Sequence, residues 1–166
     1  MPVPANTGLC AMLMLLAACA SAPPSRPAYA PTPTIDASPA DPVRANDVLM
    51  RALGLVGTPY RWGGNTPASG FDCSGLVGFV FRDAAGLDLP RTTRELADLH
   101  ASEPPRQRLA PGDLLLFGVG SVNHVGIYVG QGRFVHAPNE GGVVRLDRLD
   151  GPYWRDSYRG AKRLLR

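Results

Sequence analysis

The hydrophobic pattern of this 166-residue chain changes its period once, and that change restricts the fold more than any other feature. Before Pro104 the apolar residues recur at helical spacing, as Val48, Ala52 and Val56 do. Beyond it, short runs rich in β-branched and aromatic residues alternate with Gly, Asn and Pro, which is typical of strands joined by turns. Helices followed by strands predict an α+β domain with an antiparallel sheet.

Capping signals give the expected helix boundaries. The first helix is expected to stop at Gly57, and Asp72 is placed to cap a second helix over residues 73–84. Thr92-Thr93-Arg94-Glu95 has the form of a capping box, which predicts a third helix ending near His100. Four strands are then predicted, over residues 114–118, 124–130, 133–137 and 143–146.

The N-terminal region has the pattern of an export signal. Residues 9–18 form an apolar run of signal-peptide length, too short to span a bilayer, and Cys19 follows it directly. This ending is similar to a bacterial lipobox, so residues 1–18 are predicted to be a lipoprotein signal peptide and Cys19 the lipidated residue. No Lys or Arg precedes the run. The alternative is an ordinary secretory signal cleaved after Ala22 or Ala30.

A Pro/Ala-rich stretch separates this signal from the rest of the chain. Residues 20–42 contain seven Pro and eleven Ala, Ser or Thr among 23 positions, a composition that cannot bury a core. Residues 19–44 are therefore predicted to be a lipidated, disordered tether. Residues 45–166 are predicted to form one folded domain.

Composition excludes several classes of protein. The net charge is +3, from 17 basic and 14 acidic residues spread along the chain, so no nucleic-acid partner is expected. No apolar run reaches the ~18 residues that a membrane span needs, which excludes a polytopic membrane protein. Neither a zinc-ligand spacing nor a phosphate-binding glycine loop is present, so no metal or other cofactor is expected.

The three cysteines have different expected fates. Cys10 leaves with the signal peptide and Cys19 carries lipid, so Cys73 remains as the free thiol of an exported protein. At the start of a helix, the peptide dipoles favour its thiolate, which is the nucleophilic form. A reactive nucleophile is one interpretation, and a small buried apolar residue is the other.

Two histidines on adjacent predicted strands can supply a base. If residues 130–132 form a three-residue hairpin loop, Gly126 opposes His136, and His124 becomes the diagonal neighbour of His136 on the same face. A two-residue loop would place the two imidazoles on opposite faces. The pattern is thus compatible with Cys73 as nucleophile, His124 as base and His136 as its orienting group. Structural histidines are the alternative.

Five short motifs surround these residues in a fixed order along the chain. They are Tyr60-Arg61-Trp62-Gly63-Gly64, Phe71-Asp72-Cys73-Ser74-Gly75, Pro111-Gly112-Asp113-Leu114-Leu115-Leu116-Phe117, His124-Val125-Gly126-Ile127-Tyr128 and Phe134-Val135-His136-Ala137. Together they resemble the NlpC family of papain-like cysteine peptidases over essentially all of residues 45–166. Residues 89–92 and 152–154 are similar to the tethered murein endopeptidase lipoproteins of the MepS (Spr) type in that family.

The resemblance implies a papain-like fold, with N-terminal helices packed on a C-terminal antiparallel sheet. It assigns the nucleophile, base and orienting roles to Cys73, His124 and His136. Tyr60 is implied to help form the oxyanion site or to line the cleft. The flanking Asp72 and Ser74 are implied substrate contacts, and helix capping is an equally good interpretation of both.

The implied function is hydrolysis of amide bonds in peptidoglycan peptides through a thioester acyl-enzyme. The bond from D-Ala to diaminopimelate in the cross-link is preferred weakly over the bond from D-Glu to diaminopimelate within one stem. A non-catalytic peptidoglycan-binding or adaptor lipoprotein is the alternative, and a transferase is a third. The expected location is the cell envelope, lipid-anchored on the periplasmic face of the outer membrane.

The remaining prominent residues have structural interpretations. Trp62, Tyr128 and Trp154 are expected in the core or in the cleft wall. Arg91 is expected to hold a loop through a backbone or carboxylate contact, and Asp113 to belong to a turn or a strand start. The basic residues near the C-terminus are expected to form a solvated face, and attraction to an anionic surface is the alternative. They are Arg155, Arg159, Lys162, Arg163 and Arg166.

Overall fold

The computed structural model describes residues 1–2 and 41–165. The predicted signal peptide beyond residue 2, the lipidation site Cys19 and the tether up to residue 40 lie outside the described residues. Within the described part of the chain, none of the helices is long and apolar enough to cross a membrane.

The helices begin where the sequence provides caps. Helix α1 starts at Pro42, three residues before the predicted domain start, because Asp41 accepts a hydrogen bond from the Arg44 amide and proline at the first position needs no donor. It ends at Leu53 rather than near Gly57, since Gly54 already closes the last turn. The bounds are α1 Pro42–Leu53, α2 Cys73–Ala85, α3 Thr93–Ala97 and α4 Pro152–Ser157, with a 3₁₀ turn at Arg106–Arg108.

The caps of α2 and α3 confirm two of the predicted signals. Asp72 accepts a hydrogen bond from the Gly75 amide at the start of α2. Thr92 and Glu95 form the reciprocal capping box of α3. Helix α3 stops at Ala97, short of the predicted end near His100.

The strands form a small hairpin and, in the C-terminal half, an antiparallel sheet. Their bounds are β1 Asn65–Thr66 and β2 Gly70–Phe71 in the hairpin, then β3 Leu114–Phe117, β4 His124–Gly130, β5 Arg133–His136, β6 Arg145–Arg148 and β7 Tyr158–Lys162. The last five make one sheet in the order β6-β5-β4-β3-β7. The last predicted strand is displaced by two residues, since β6 runs two positions further along the chain. Helix α4 and strand β7 were not predicted.

The β4–β5 hairpin differs from its prediction at the turn but keeps the predicted register above it. Gly130 opposes Arg133, which leaves a two-residue turn of Gln131 and Gly132, both with positive φ as in a type I′ turn. A bulge at Val129 then shifts the register by one residue. Ile127 opposes Val135 as a three-residue loop would require, so His124 and His136 remain on one face.

The sheet separates two hydrophobic cores. One face packs against α1 and α2 through side chains such as Leu116, Val125 and Ile127. The opposite face carries a smaller, aromatic core under α4, made by Leu109, Leu115, Phe117, Tyr128, Phe134, Leu149 and Ala161, with Trp154 and Tyr158 packed against it. Tyr128 and Trp154 thus pack as predicted.

The C-terminal basic residues do not all form a solvated face. The Lys162 ammonium is buried and donates to Glu103 and to the Leu99 carbonyl. The Arg163 guanidinium pairs with buried Asp113, whose carboxylate also accepts from the Ala110 amide and so closes the predicted turn. These cations stabilise the fold internally, which weakens the interpretation of this group as an anion-binding surface.

Candidate active site

Cys73 is the first residue of α2 and is a free, partly exposed thiol. Its sulfur is hydrogen-bonded by the backbone amides of Val125 and Ser74, which brings the helix tip against the start of β4. Burial raises the pKa of the thiol and outweighs the amides, which lower it. The amides at the helix tip favour the thiolate, as predicted, but desolvation is the larger effect, so the net pKa of the thiol is raised.

The two histidines are joined by a hydrogen bond. His124 Nε2 lies 2.9 Å from His136 Nδ1, and the ring planes are at 88°. His124 is the first residue of β4, whereas His136 ends β5 and is fully buried. Burial lowers the pKa of His124 to about 3 and that of His136 to about 4, so both imidazoles are neutral at neutral pH.

A carboxylate that the sequence reasoning missed completes this chain of hydrogen bonds. Asp147 Oδ2 lies 3.0 Å from His136 Nε2 and accepts from Trp154 Nε1 at 2.8 Å. Although burial acts to raise it, the pKa of Asp147 is lowered, because Arg145 and Trp154 donate to the carboxylate. The available signal was register: Asp147 opposes Phe134, which shares a face with His136, but the predicted strand ended at residue 146.

Trp154 closes the aromatic side of this arrangement. Its ring lies 5.2 Å from the His124 ring and 4.8 Å from the His136 ring, measured between centroids. It also packs edge-on against Phe117 and Phe134. These contacts contribute to the burial of both imidazoles, which is the largest cause of their lowered pKa values.

A cleft of about 630 Å³ opens in front of the sulfur. It is lined by Cys73 and His124 together, and by the predicted contact residues Tyr60, Asp72 and Ser74. His136 lies behind this lining. Trp62 also lines the cleft and is 88% exposed, so it belongs to the cleft wall and not to the core.

Asp72 organises the wall of the cleft that α2 forms. Its carboxylate accepts from the amides of Gly63 and Gly75 and from Arg91, whose two terminal nitrogens reach it at 2.9 and 2.6 Å. Arg91 also donates to Ser74 Oγ at 2.7 Å. Arg91 thus holds a loop through a carboxylate, as predicted. Capping is the observed role of Asp72, and substrate contact by Asp72 or Ser74 stays a prediction.

A close approach of backbone fixes the position of the helix tip. A Cβ on Gly75 would collide with the Gly64 carbonyl oxygen, so only glycine lets α2 pack against the loop that carries Tyr60. The Tyr60 amide donates to the Gly142 carbonyl, which ties this loop to the segment after β5. Burial, together with the nearby acidic groups of Cys73, Asp72 and Glu140, raises the pKa of Tyr60 and keeps its phenol protonated.

Metal ligation has no support in the described region. Across residues 1–2 and 41–165, no group of three or more His, Cys, Asp or Glu side chains is placed to hold a metal ion. What the cleft does combine is a thiol, a neutral imidazole and hydrogen-bond donors, the set that acyl transfer through a nucleophile requires.

Comparison with known proteins agrees with this geometry. The model of the NlpC/P60 family matches residues 57–163. Murein DD-endopeptidase MepH of Escherichia coli K12 is 41% identical over 78% of this chain and 50% of its own length. Murein DD-endopeptidase MepS/Murein LD-carboxypeptidase of the same strain is 43% identical over 74% and 66%.

Among solved structures, an NlpC/P60 family protein from Bacillus cereus superposes with a TM-score of 0.69 at 32% identity, over 74% of this chain and 40% of its own. The chain thus spans about half to two thirds of the length of the curated relatives named here. The predicted α+β, papain-like fold is confirmed, and the chain belongs to the NlpC/P60 family.

Proposed function

We propose that this protein is a cysteine peptidase that hydrolyses amide bonds in peptidoglycan peptides through a thioester on Cys73. The observation that carries the proposal is a single cleft lined by the Cys73 thiol and the His124 imidazole, with His136 hydrogen-bonded behind His124. A nucleophile, its base and the group that orients the base are the three parts that covalent catalysis requires.

The pKa directions imply how the nucleophile is activated. Burial raises the pKa of Cys73 and lowers that of His124, so the resting pair is a neutral thiol beside a neutral imidazole. The proton therefore passes to His124 as the sulfur attacks the carbonyl carbon, and not beforehand. His124 Nε2 is engaged with His136, which leaves Nδ1 as the accepting nitrogen.

The remaining steps return every proton. The tetrahedral intermediate collapses with cleavage of the C–N bond, and His124 gives its proton to the departing amine. Water then loses a proton to His124 and attacks the thioester carbon. The C–S bond breaks, the carboxylic acid is released, and the proton on His124 passes to the sulfur and restores the thiol. The backbone N–H of Cys73, in the first helical turn, and the protonated Tyr60 phenol are suited to stabilise the oxyanion.

The bond we propose is the cross-link from D-Ala to diaminopimelate. Support comes from the two E. coli relatives above, both named murein DD-endopeptidases. The bond from D-Glu to diaminopimelate within one stem is the competing candidate.

The test is to incubate purified protein with cross-linked muropeptides and to separate the products. We expect dimers to disappear into monomers of unchanged stem length. Unchanged dimers with shortened monomers would favour the bond within one stem.

Cys73→Ala provides the matched control for chemistry. Removing the nucleophile should lower turnover by roughly 10⁴-fold or more, because the thioester path is lost. Digestion by Cys73→Ala at the wild-type rate would refute the cysteine mechanism. Muropeptide binding by both proteins without any cleavage would favour the alternative, a peptidoglycan-binding or adaptor lipoprotein.

We also propose that Cys19 anchors the protein by lipid to the periplasmic face of the outer membrane. The apolar run ending at Cys19 supports this location. Metabolic labelling with a fatty acid should mark the wild type and not Cys19→Ala. Equal labelling of both would contradict the anchor.

A further inference from the structure

We propose that Asp147 is a positioning residue of this site: it fixes the tautomers of His136 and His124, so that the nitrogen of His124 left free to accept the Cys73 thiol proton is always Nδ1. The inference builds on the proposed function, since it concerns how the same base is prepared. It rests on a chain of three side chains joined by two hydrogen bonds, which reaches from β6 to the cleft.

The fold brings the carboxylate to this position by strand register. In the antiparallel pair β5–β6, Phe134 opposes Asp147 and His136 opposes Arg145. Phe134 and His136 lie two residues apart and share a face, so the Asp147 side chain projects beside His136. The resulting distance from Asp147 Oδ2 to His136 Nε2 is 3.0 Å.

The tautomers follow from donor and acceptor chemistry. An ionised carboxylate only accepts hydrogen bonds, so His136 must carry its proton on Nε2 to donate to Asp147. The neutral imidazole then has a lone pair on Nδ1, and His124 must donate its Nε2 proton to it across 2.9 Å. The lone pair on His124 Nδ1 takes no part in these two hydrogen bonds and is left free.

The carboxylate is itself held in place by groups that do not touch the cleft. Trp154 Nε1 donates to the same Oδ2 atom at 2.8 Å, and Arg145 donates to it at 3.0 Å. These partners keep Asp147 ionised and oriented. The negative charge also favours the imidazolium that forms on His124 during the reaction, whereas Arg145 and His136 oppose it.

A purely structural role is the competing explanation, because Asp147 also joins α4 to β6 through Trp154. The two explanations differ in one observable. If Asp147 only holds the elements together, its loss changes stability but leaves the ring protons of His124 and His136 on the same nitrogens.

The first test needs no variant. Long-range ¹H–¹⁵N NMR spectra of the wild-type protein at pH 7, without substrate, report which nitrogen of each imidazole carries the proton. We expect the Nε2–H tautomer for both His124 and His136. A proton on Nδ1 of His136 would overturn the proposal.

The second test uses two substitutions. Asp147→Leu removes charge and acceptor, and Asp147→Asn removes the charge and keeps a carbonyl acceptor. On cross-linked muropeptides we expect kcat to fall by about 100-fold for Leu and about 10-fold for Asn, with KM changed by less than about threefold, since Asp147 does not line the cleft. The NMR spectra of Asp147→Leu should show mixed tautomers. Retention of the wild-type tautomers and kcat by both variants would overturn the proposal.

Two control variants separate positioning from general damage. Asp150→Asn removes the carboxylate of the exposed Arg148–Asp150 pair nearby and should leave kcat unchanged. Trp154→Phe removes one donor to Asp147 but keeps the carboxylate, so it should keep the Nε2–H tautomers. If the wild type shows the expected tautomers but cleaves no muropeptide, the proposed function fails while the tautomer assignment stands.

Discussion

The cleft lies between a helix wall, which is the tip of α2 with Asp72 and its partners, and a strand wall, which is His124 with His136 and Asp147 behind it. The two walls are stabilised in opposite ways. On the helix wall, the Asp72 carboxylate accepts hydrogen bonds from Gly63, Gly75 and Arg91, and Gly63 and Arg91 line the cleft. The buried Asp72 carboxylate pairs directly with the Arg91 guanidinium, which is partly exposed. Although burial acts to raise it, the pKa of the Asp72 carboxyl is lowered by the hydrogen bonds that it accepts from Arg91 and from the amides.

The strand wall is buried, aromatic and poor in compensating charge. His124 and His136 are stacked among Phe117, Phe134 and Trp154, and Asp147 is the anion of the group. Here burial dominates, and it lowers the pKa of both imidazoles far below the ordinary value. The helix wall thus stabilises the ionised form of Asp72, whereas the strand wall destabilises the protonated form of its two imidazoles. A neutral imidazole therefore lies next to a polar cleft.

Lowering the pH should reveal the largest difference between the two walls, in what each contributes to the free energy of unfolding. In the folded protein His136 has a pKa of about 4 and His124 of about 3, against an ordinary value of 6.5. Between pH 6.5 and 4 the unfolded chain therefore binds more protons than the folded chain, and stability falls as the pH falls. For His136 alone the loss is on the order of 3 kcal/mol.

Urea unfolding at pH 7, 6, 5 and 4 measures this loss. The helix wall should not contribute in this window, because the lowered pKa of Asp72 makes its stabilising effect disappear only at lower pH. His136→Gln should flatten the dependence. A free energy of unfolding that stays constant from pH 7 to pH 4.5 would contradict burial of neutral imidazoles.

How far the sequence predicts each wall follows from the same contrast. Asp72, Cys73 and Ser74 are neighbours in the chain, so a capping rule of three residues was enough to place them at the tip of α2. Local patterns predict such a wall well. The raised pKa of the Cys73 thiol was not predicted, because the burial of Cys73 depends on the whole sheet.

The strand wall depends on register, which local patterns determine less well. The pairing of His124 with His136 was predicted from a three-residue loop. The molecule instead has a two-residue turn and a bulge at Val129, two differences that cancel. The contact of Asp147 with His136 was not predicted, because the predicted strand ended at residue 146 and β6 lies two residues further along the chain. The alternation of side chains along paired strands therefore predicts which residues share a face only when the residues of the turn and those of any bulge are both counted.

Tight packing on the strand wall gives the next prediction. A Cβ at Gly126 would lie 2.6 Å from Cδ2 of the buried Phe134 ring and 3.1 Å from the Val135 carbonyl oxygen. Gly126→Ala should therefore destabilise the protein by about 1–3 kcal/mol, because the ring must move within a packed core.

Activity should respond together with stability in this variant. The ring of Phe134 lies 4.8 Å from that of His136, so its displacement shifts the imidazole that is hydrogen-bonded to His124. We expect a fall in both melting temperature and kcat on muropeptides. An unchanged melting temperature would show that the strand wall is more compliant than its packing implies.

The helix wall offers the matched substitution with the opposite sign. Gly78 lies inside α2, and a Cβ there would meet no atom within 4 Å. Alanine at this position gains helix propensity without a clash, so Gly78→Ala should stabilise the protein by roughly 0.5–1 kcal/mol. Chemical denaturation measures this gain. Activity should be unaffected, because Gly78 lies more than one turn beyond Cys73 and is absent from the cleft lining. A loss of stability instead would mean that the helix wall is as tightly constrained as the strand wall, and the contrast between them would then rest on charge alone.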